Sequence, residues 1–334
     1  MSYQPKHILV TGGAGFIGCH FVQYMLHHDA DCTIVNLDAL TYAGNKDHLP
    51  EEKRHHFVHG DICDGALVKK LLRDYQIDTI VHFAAESHVD RSISGPEAFV
   101  QTNVVGTFQL LEAARLVWLQ DNHWDATQCR FHHISTDEVY GTLEKTDPAF
   151  TELTRYEPNS PYSASKAGSD HLVRSYYHTY GLPVTTSNCS NNYGPQQHPE
   201  KLIPTVIRAC LEHQAIPIYG DGSNIRDWLY VVDHCDAIRV ILEKGQIGEV
   251  YNIGGNNELT NLQVVKHICD LVDERLQPAV STHELLSFVK DRPGHDWRYA
   301  IDARKLQDEL GWVPLTDFKQ GLAATFDFYH AVSA

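Results

Sequence analysis

Through the first 190 residues, short apolar runs alternate with longer stretches whose apolar positions recur at helical spacing. The apolar runs at 7–10, 33–38, 56–58, 79–84, 131–135 and 183–187 are too short for stable helices and read as strands. The stretches at 16–28, 67–75, 98–119 and 160–180 read as helices. Strand and helix in strict alternation predict a parallel, doubly wound α/β sheet. Beyond residue 190 the rhythm changes. Turn-rich segments (NNYGPQQHPEK, YGDGSN, IGGNNE, DRPGHD) separate the remaining helices, and Pro and Gly at this density punctuate irregular structure. This pattern predicts a domain over 1–190, a smaller substrate-binding domain made mostly of 191–334, and a return of part of 224–255 to the first domain. The chain has no internal repeat and no low-complexity tract.

Composition narrows the class of partner. Of 334 residues, 43% are hydrophobic and 21% charged, an ordinary balance for a chain with a sizeable core. Lys plus Arg number 27 against 43 Asp plus Glu, a formal net charge of -16. Nucleic-acid and membrane-surface proteins are usually basic, so neither partner is expected. An anionic substrate would need local cations. The N-terminal MSYQPKHILVTGG holds no run long enough for a signal peptide or a membrane span. The eight cysteines are scattered without a CxxC pair, as expected of reduced thiols in a cytoplasmic protein. The 22 histidines include adjacent pairs, but adjacent residues point to different faces. No spacing matches a ligand set, and no metal is expected.

The first strand runs into ILVTGGAGFIG. Gly12 allows the tight turn, Gly15 lets the backbone approach a pyrophosphate, and Gly18 lets the following helix pack closely. The helix N-terminus adds unpaired N–H groups and partial positive charge. Asp38 ends the next strand, where a carboxylate binds adenosine ribose hydroxyls and repels a 2'-phosphate. Together these predict a Rossmann-type domain that takes NAD rather than NADP. Asp61, after the third strand, suits an adenine contact and equally a helix cap.

In PYSASKAGSDHLV, Tyr162 and Lys166 stand four apart and share a helix face. Bringing a phenol from its usual pKa near 10 to about 7 takes roughly 4 kcal/mol. An ammonium at about 4 Å supplies roughly that much at an effective dielectric of about 20. The pair is therefore suited to accept an alcohol proton, with Lys166 also able to hold the cofactor ribose.

The glycine loop, the acidic second strand, HFAA on the fourth strand and YxxxK on a later helix together resemble the extended short-chain dehydrogenase/reductase superfamily over essentially the whole chain. The fifth strand leads into ISTDEVYG. The triplet Thr136, Asp137, Glu138, with AAESHVDRS, SNNYGP, PEKLIP, RDWLYVVDH, YNIGG and DRPGHD, is similar to the dTDP-glucose 4,6-dehydratase family. That resemblance implies NAD as cofactor, dTDP-glucose or a related nucleotide sugar as substrate, and a homodimer built on the YxxxK helix. It implies that Tyr162 takes the O4 proton as NAD oxidises C4, that Glu138 removes the C5 proton, and that Asp137 protonates the departing C6 hydroxyl. The hydride then returns to C6. Two neighbouring carboxyls with opposite duties need pKa values pushed apart. Neighbours on a strand also point to opposite faces, so both reach one substrate only if the strand ends there and the chain turns.

The resemblance assigns further cofactor contacts to Phe16, Ile17, Leu40, Thr41, Ile62, Phe83, Ala84, Ala85, Thr102 and Asn192. It places Ser87 and Thr136 on the hexose, Pro217 and Tyr219 along the base and sugar, and Arg226 and Arg292 on the phosphates as forked donors. Asn191, Lys201, Leu202, Asn261 and His295 complete the implied substrate set. Trp297 departs from the family pattern, which has Arg after RPGHD, and bears on nucleotide preference more than on the reaction. Three alternatives stand beside this reading. A UDP-sugar 4-epimerase would share the loop and the Tyr–Lys pair without needing Asp137 and Glu138. A non-catalytic NAD-binding protein would need none of the four. A dehydratase of UDP- or CDP-glucose would differ only in its nucleotide.

Overall fold

The computed structural model describes residues 3–291 and 296–333. Its centre is the expected doubly wound sheet. Seven parallel strands lie in the order β10-β6-β5-β4-β1-β2-β3, with β1 His7–Thr11, β2 Thr33–Asp38, β3 His55–His59, β4 Thr79–His82, β5 Arg130–Thr136, β6 Val184–Cys189 and β10 Val250–Ile253. The central strands are buried along their whole length, as β5 and β6 show. Helices cover both faces, which is why these strands are not polar on one side. One apolar layer packs Phe21, Val22 and Met25 against Ile238 and Ile241. The other packs Leu71, Leu110, Leu111 and Trp118 against Phe131 and Val184.

Helix Phe16–His28 matches its expected span. The stretch expected at 98–119 is a helical run over 96–121 in which α turns alternate with π turns at Val100–Gly106 and Arg115–Asp121. Helix Pro161–Tyr180 starts where Ser160 and Ser163 form a capping box and Pro161 fills the first turn, and it stops at Gly181 with φ 71°. β4 ends two residues earlier than expected, and beyond it Gly12 comes so close that a Cβ there would lie 2.5 Å from Ala84 N.

The turn-rich half contributes two small sheets. One is ordered β11-β9-β7 (Glu258–Thr260, Ile225–Tyr230, Asn191–Tyr193), the other β12-β8 (Leu286–Val289, Ile216–Tyr219). They surround a separate apolar core of Ile203, Ile207, Trp228, Val265, Ile268 and Phe326. β10, from this half of the sequence, is the edge strand of the large sheet and pairs with β6 in parallel register. Among the described residues no helix is long and apolar enough to cross a membrane.

Candidate active site

The strand order reverses between β1 and β4, and a cavity of about 330 Å³ opens at their carboxyl ends, where open α/β sheets bind ligands. Gly12, Gly15 and Gly18 line it. Gly12 has φ +73°, and a side chain there would lie 2.5 Å from Ala84 N. At Gly18 a Cβ would lie 2.3 Å from Gly12 O, so its close approach is to the glycine loop itself. Gly15 is different. It has ordinary φ, and its Cβ would meet only Gly12 O at 3.2 Å. The protein alone barely requires glycine at 15, whereas a dinucleotide phosphate at the wall would. Asp38 is fixed by two backbone donors, Ala14 N to Oδ2 at 2.8 Å and Leu40 N to Oδ1 at 2.7 Å. Phe16, Ile17, Thr41, Asp61, Ile62, Phe83, Ala84, Ala85, Thr102 and Asn192 also line the cavity; Leu40 does not. Asp61 accepts from Cys63 N at 2.8 Å, and the helix cap is Asp64. Among the described residues no group of His, Cys, Asp or Glu could hold a metal ion.

The two acids sit where the pleat has ended. β5 stops at Thr136, and Asp137–Tyr140 forms a 3-10 turn whose N-cap is Thr136, with its hydroxyl accepting from Glu138 N at 3.3 Å. The turn brings Asp137 and Glu138 to one cavity wall beside Tyr162. Asp137 is 2% exposed and its Oδ2 has no hydrogen-bond partner. Burial raises its pKa well above the usual carboxylate range, and the charges of Glu138 and Asp227 push the same way against Arg226 and the Thr136 hydroxyl. Burial and its acidic neighbours thus favour the protonated form of Asp137, the form a proton donor needs.

Tyr162 and Lys166 are both buried in the same wall. Here the electrostatics correct the expectation from spacing. Burial first, then the charge of Glu138, raises the Tyr162 phenol well above its ordinary value, while a hydrogen bond with Thr136 lowers it. Lys166 Nζ instead donates to Ile134 O at 2.8 Å, and its pKa is lowered by burial. The helical spacing places the pair on one face but does not aim the ammonium at the phenol. The helix itself is held by buried polar contacts that spacing could not reveal. Asp170 accepts from Ser135 Oγ at 2.7 Å and contacts His133 Nε2 at 3.0 Å. Asn103 takes Glu86 N at 2.9 Å and donates to Ser165 Oγ at 2.8 Å.

Ser87, Asn191 and Lys201 line the cavity with Thr136. Leu202 opens helix Leu202–Leu211 just behind Lys201. Pro217, Tyr219, Arg226 and Asn261 lie outside the cavity lining. Pro217 and Tyr219 are the exposed positions of β8. Arg226 is buried, donates to Asp296 O at 2.9 Å and Ile225 O at 2.7 Å, and stacks 4.2 Å from the Tyr299 ring centroid. Asn261 N donates to Asn224 O, and Asn224 Nδ2 to Asp296 O. Arg226, Asn224 and Asn261 therefore gather beside 296–297. Arg292 and His295 lie outside the described residues. Trp297 donates its N–H to Thr142 Oγ1 at 3.1 Å and accepts from Ile225 N, so it ties two loops through its backbone. Tyr42, Glu86, His88, Cys189, Gln197 and His198 also line the cavity. Apart from Cys189, the last residue of β6, they lie outside strands without a repeating pattern, and only their position after strand ends could have pointed to them.

A dinucleotide-type loop, a buried Tyr–Lys pair and two acids on a turn at the carboxyl ends of the strands define the class: a nucleotide-sugar-modifying member of the extended short-chain dehydrogenase/reductase superfamily. The GDP-mannose 4,6 dehydratase family model matches residues 9–325. The chain is 58% identical to a dTDP-glucose 4,6-dehydratase of Xanthomonas campestris pv. campestris (strain B100) over 328 residues, 96% of this chain and 92% of the relative. The dTDP-glucose 4,6-dehydratase of Streptomyces venezuelae, solved with NAD and TYD bound, superposes with TM-score 0.89 at 46% identity, covering 97% of each chain. That of Bacillus anthracis str. Ames, in complex with NAD, gives TM-score 0.87 at 46% identity, covering 98% and 97%. The chain belongs to the dTDP-glucose 4,6-dehydratase family.

Proposed function

We propose that this chain dehydrates dTDP-glucose to dTDP-4-keto-6-deoxyglucose. The observation that carries the reading is the turn that places the buried acid Asp137 next to Glu138 on the wall shared with Tyr162. Bound NAD supplies the acceptor that takes hydrogen from C4 and returns it to C6. Tyr162 takes the O4 proton. The Thr136 hydroxyl, hydrogen-bonded to the phenol, favours that transfer, and Lys166 in the same wall would hold the cofactor ribose. The C4 ketone acidifies C5–H, Glu138 removes that proton, and Asp137 gives its own to the C6 hydroxyl, which leaves as water; C5 is reprotonated as hydride returns to C6. Thr136 contacts all three partners and keeps them in register. A 4-epimerase would have no use for a proton donor held there.

In this reading the sheet lobe (1–190 with β10) carries NAD, and most of 191–334 carries the sugar nucleotide. Arg226, Arg292, Asn261, Pro217 and Tyr219 would meet its phosphates and base. The chain works as a homodimer. Outward apolar side chains on the 96–121 run support this, with Val100 53% and Phe108 40% exposed. Eight free cysteines support a cytoplasmic location.

The test is mass spectrometry of dTDP-, UDP- and CDP-glucose after incubation with the protein and with Glu138→Gln. Loss of one water from dTDP-glucose in preference to the other two is expected. The variant should be slower by about 10²–10⁴-fold, as for loss of a general base. Conversion to the galactose isomer without loss of mass would overturn the reading, and faster loss of water from another nucleotide would reassign the base.

A further inference from the structure

Three loops at the carboxyl ends of the strands are tied together across the cavity rim by side chains that the chemistry does not use. Arg91 NH2 lies 2.9 Å from Glu200 Oε1, and His88 Nε2 lies 3.1 Å from Glu200 Oε2. The Arg91 guanidinium stacks 4.0 Å from the centroid of the Tyr42 ring, and Tyr42 meets the edge of the His198 ring at 5.6 Å. Tyr42 follows β2, His88 and Arg91 follow β4, and His198 and Glu200 follow β7. Three of these side chains, Tyr42, His88 and His198, form part of the cavity wall.

The 195–201 segment that carries His198, Glu200 and Lys201 is pinned at its beginning to helix Phe16–His28. His20 Nε2 contacts Pro195 O at 2.9 Å and Cys19 Sγ donates to Gln196 Oε1 at 3.2 Å. Gln197 Nε2 donates to Asn192 O at 2.8 Å. At the other end the segment rests on Arg91 and His88. It therefore runs from the helix behind the glycine loop to the loop after β4, across the wall expected to hold the dinucleotide.

The proposed reaction gives this tie a purpose. A cofactor reduced and reoxidised within one turnover must not leave between the two half-reactions. We infer that Arg91 and Glu200 are positioning residues that hold the 195–201 segment over bound NAD and slow its escape during turnover. This assignment rests on the NAD reading of the cavity. Arg91 and Glu200 side chains are 46% and 37% exposed, so the ion pair alone is weak. The stacking of Arg91 on Tyr42 adds to it.

The test follows release of isotope-labelled NAD from preloaded protein into excess unlabelled NAD, with no sugar present. Arg91→Gln and Glu200→Gln should each release label roughly 2–10-fold faster, the scale of an exposed ion pair plus one cation–π contact. Because the two act as one unit, the double variant should be no faster than the quicker single. Turnover at saturating NAD should stay within about twofold of the parent, since no group contacting the reacting atoms is altered. Unchanged release in both single variants overturns the assignment, as does a double variant whose effect is the product of the two. A parent protein that retains no label overturns the assignment and the cofactor reading beneath it. A retained label with no dehydration of any sugar overturns only the proposed reaction.

Discussion

Gly12 and Gly15 belong to one loop yet lack side chains for different reasons. Gly12 combines φ +73° with backbone 2.5 Å from where a Cβ would stand. Gly12→Ala should destabilise the fold by about 2–4 kcal/mol, from a left-handed residue and a backbone clash together. Gly15 has φ -78°, and a Cβ there would meet only Gly12 O, at 3.2 Å. Gly15→Ala should leave thermal stability within about 1 kcal/mol of the parent while weakening NAD binding by about tenfold or more, the effect of one methyl group intruding on a fitted phosphate. Calorimetric titration beside a melting curve checks both, and full NAD affinity in Gly15→Ala would remove the phosphate contact from that position. Asp137 carries a prediction about pH. Its acid form is favoured by burial and by the charges of Glu138 and Asp227, so it is competent below its raised pKa and lost as pH rises through it. The rate should fall on the alkaline side. Asp137→Asn, which cannot give up a proton, should lower the maximal rate by about 10²–10⁴-fold and remove that limb from what remains.

At the scale of elements, the Pro161–Tyr180 helix is held to β5 by buried polar contacts more than by a continuous apolar stripe. Asp170 takes Ser135 and meets His133, whose pKa is lowered by burial, so the imidazole is neutral. Asp170→Ala takes from buried Ser135 Oγ its acceptor and leaves His133 Nε2 only Ser169 Oγ at 3.3 Å, and should destabilise by about 1–3 kcal/mol. A melting temperature unchanged from the parent would show that Tyr162 and Lys166 are placed by packing alone. The helix was legible in the sequence because Ser160, Pro161 and Gly181 mark its ends. The sheet was legible because buried parallel strands are apolar throughout, and the glycine loop because its turn forces residue type. What spacing could not show was direction. Four residues between Tyr162 and Lys166 place them on one face, but whether the ammonium meets the phenol or Ile134 O depends on a strand 32 residues away in sequence. Likewise the turn after Thr136 comes from a cap that only coordinates reveal. The wall residues Tyr42, His88 and His198 carried no signal, since loop side chains that converge in space need no common period.

At the scale of the whole molecule, a net charge of -16 means that an anionic sugar nucleotide must be received by a few local cations, among them Lys201 in the wall and Arg226 beside it. The homodimer reading makes a separate prediction. Phe108 points outward on the 96–121 run, and Phe108→Glu would bury a carboxylate in any interface formed there. Sedimentation should show the parent at twice the mass of the variant, and equal masses would place the interface elsewhere or abolish it. Finally, β10 gives the molecule a constraint in time as well as in space. The chain is made from its N-terminus, and β6 is complete at Cys189 while its neighbour arrives only with Val250–Ile253. At about 5–20 residues per second, a ribosome takes roughly 3–12 seconds to make the intervening stretch of about 60 residues. For that interval a growing chain carries a long open sheet edge of the kind that recruits other strands. Fast translation between 189 and 253 shortens that exposure, and a holdase bound there covers it.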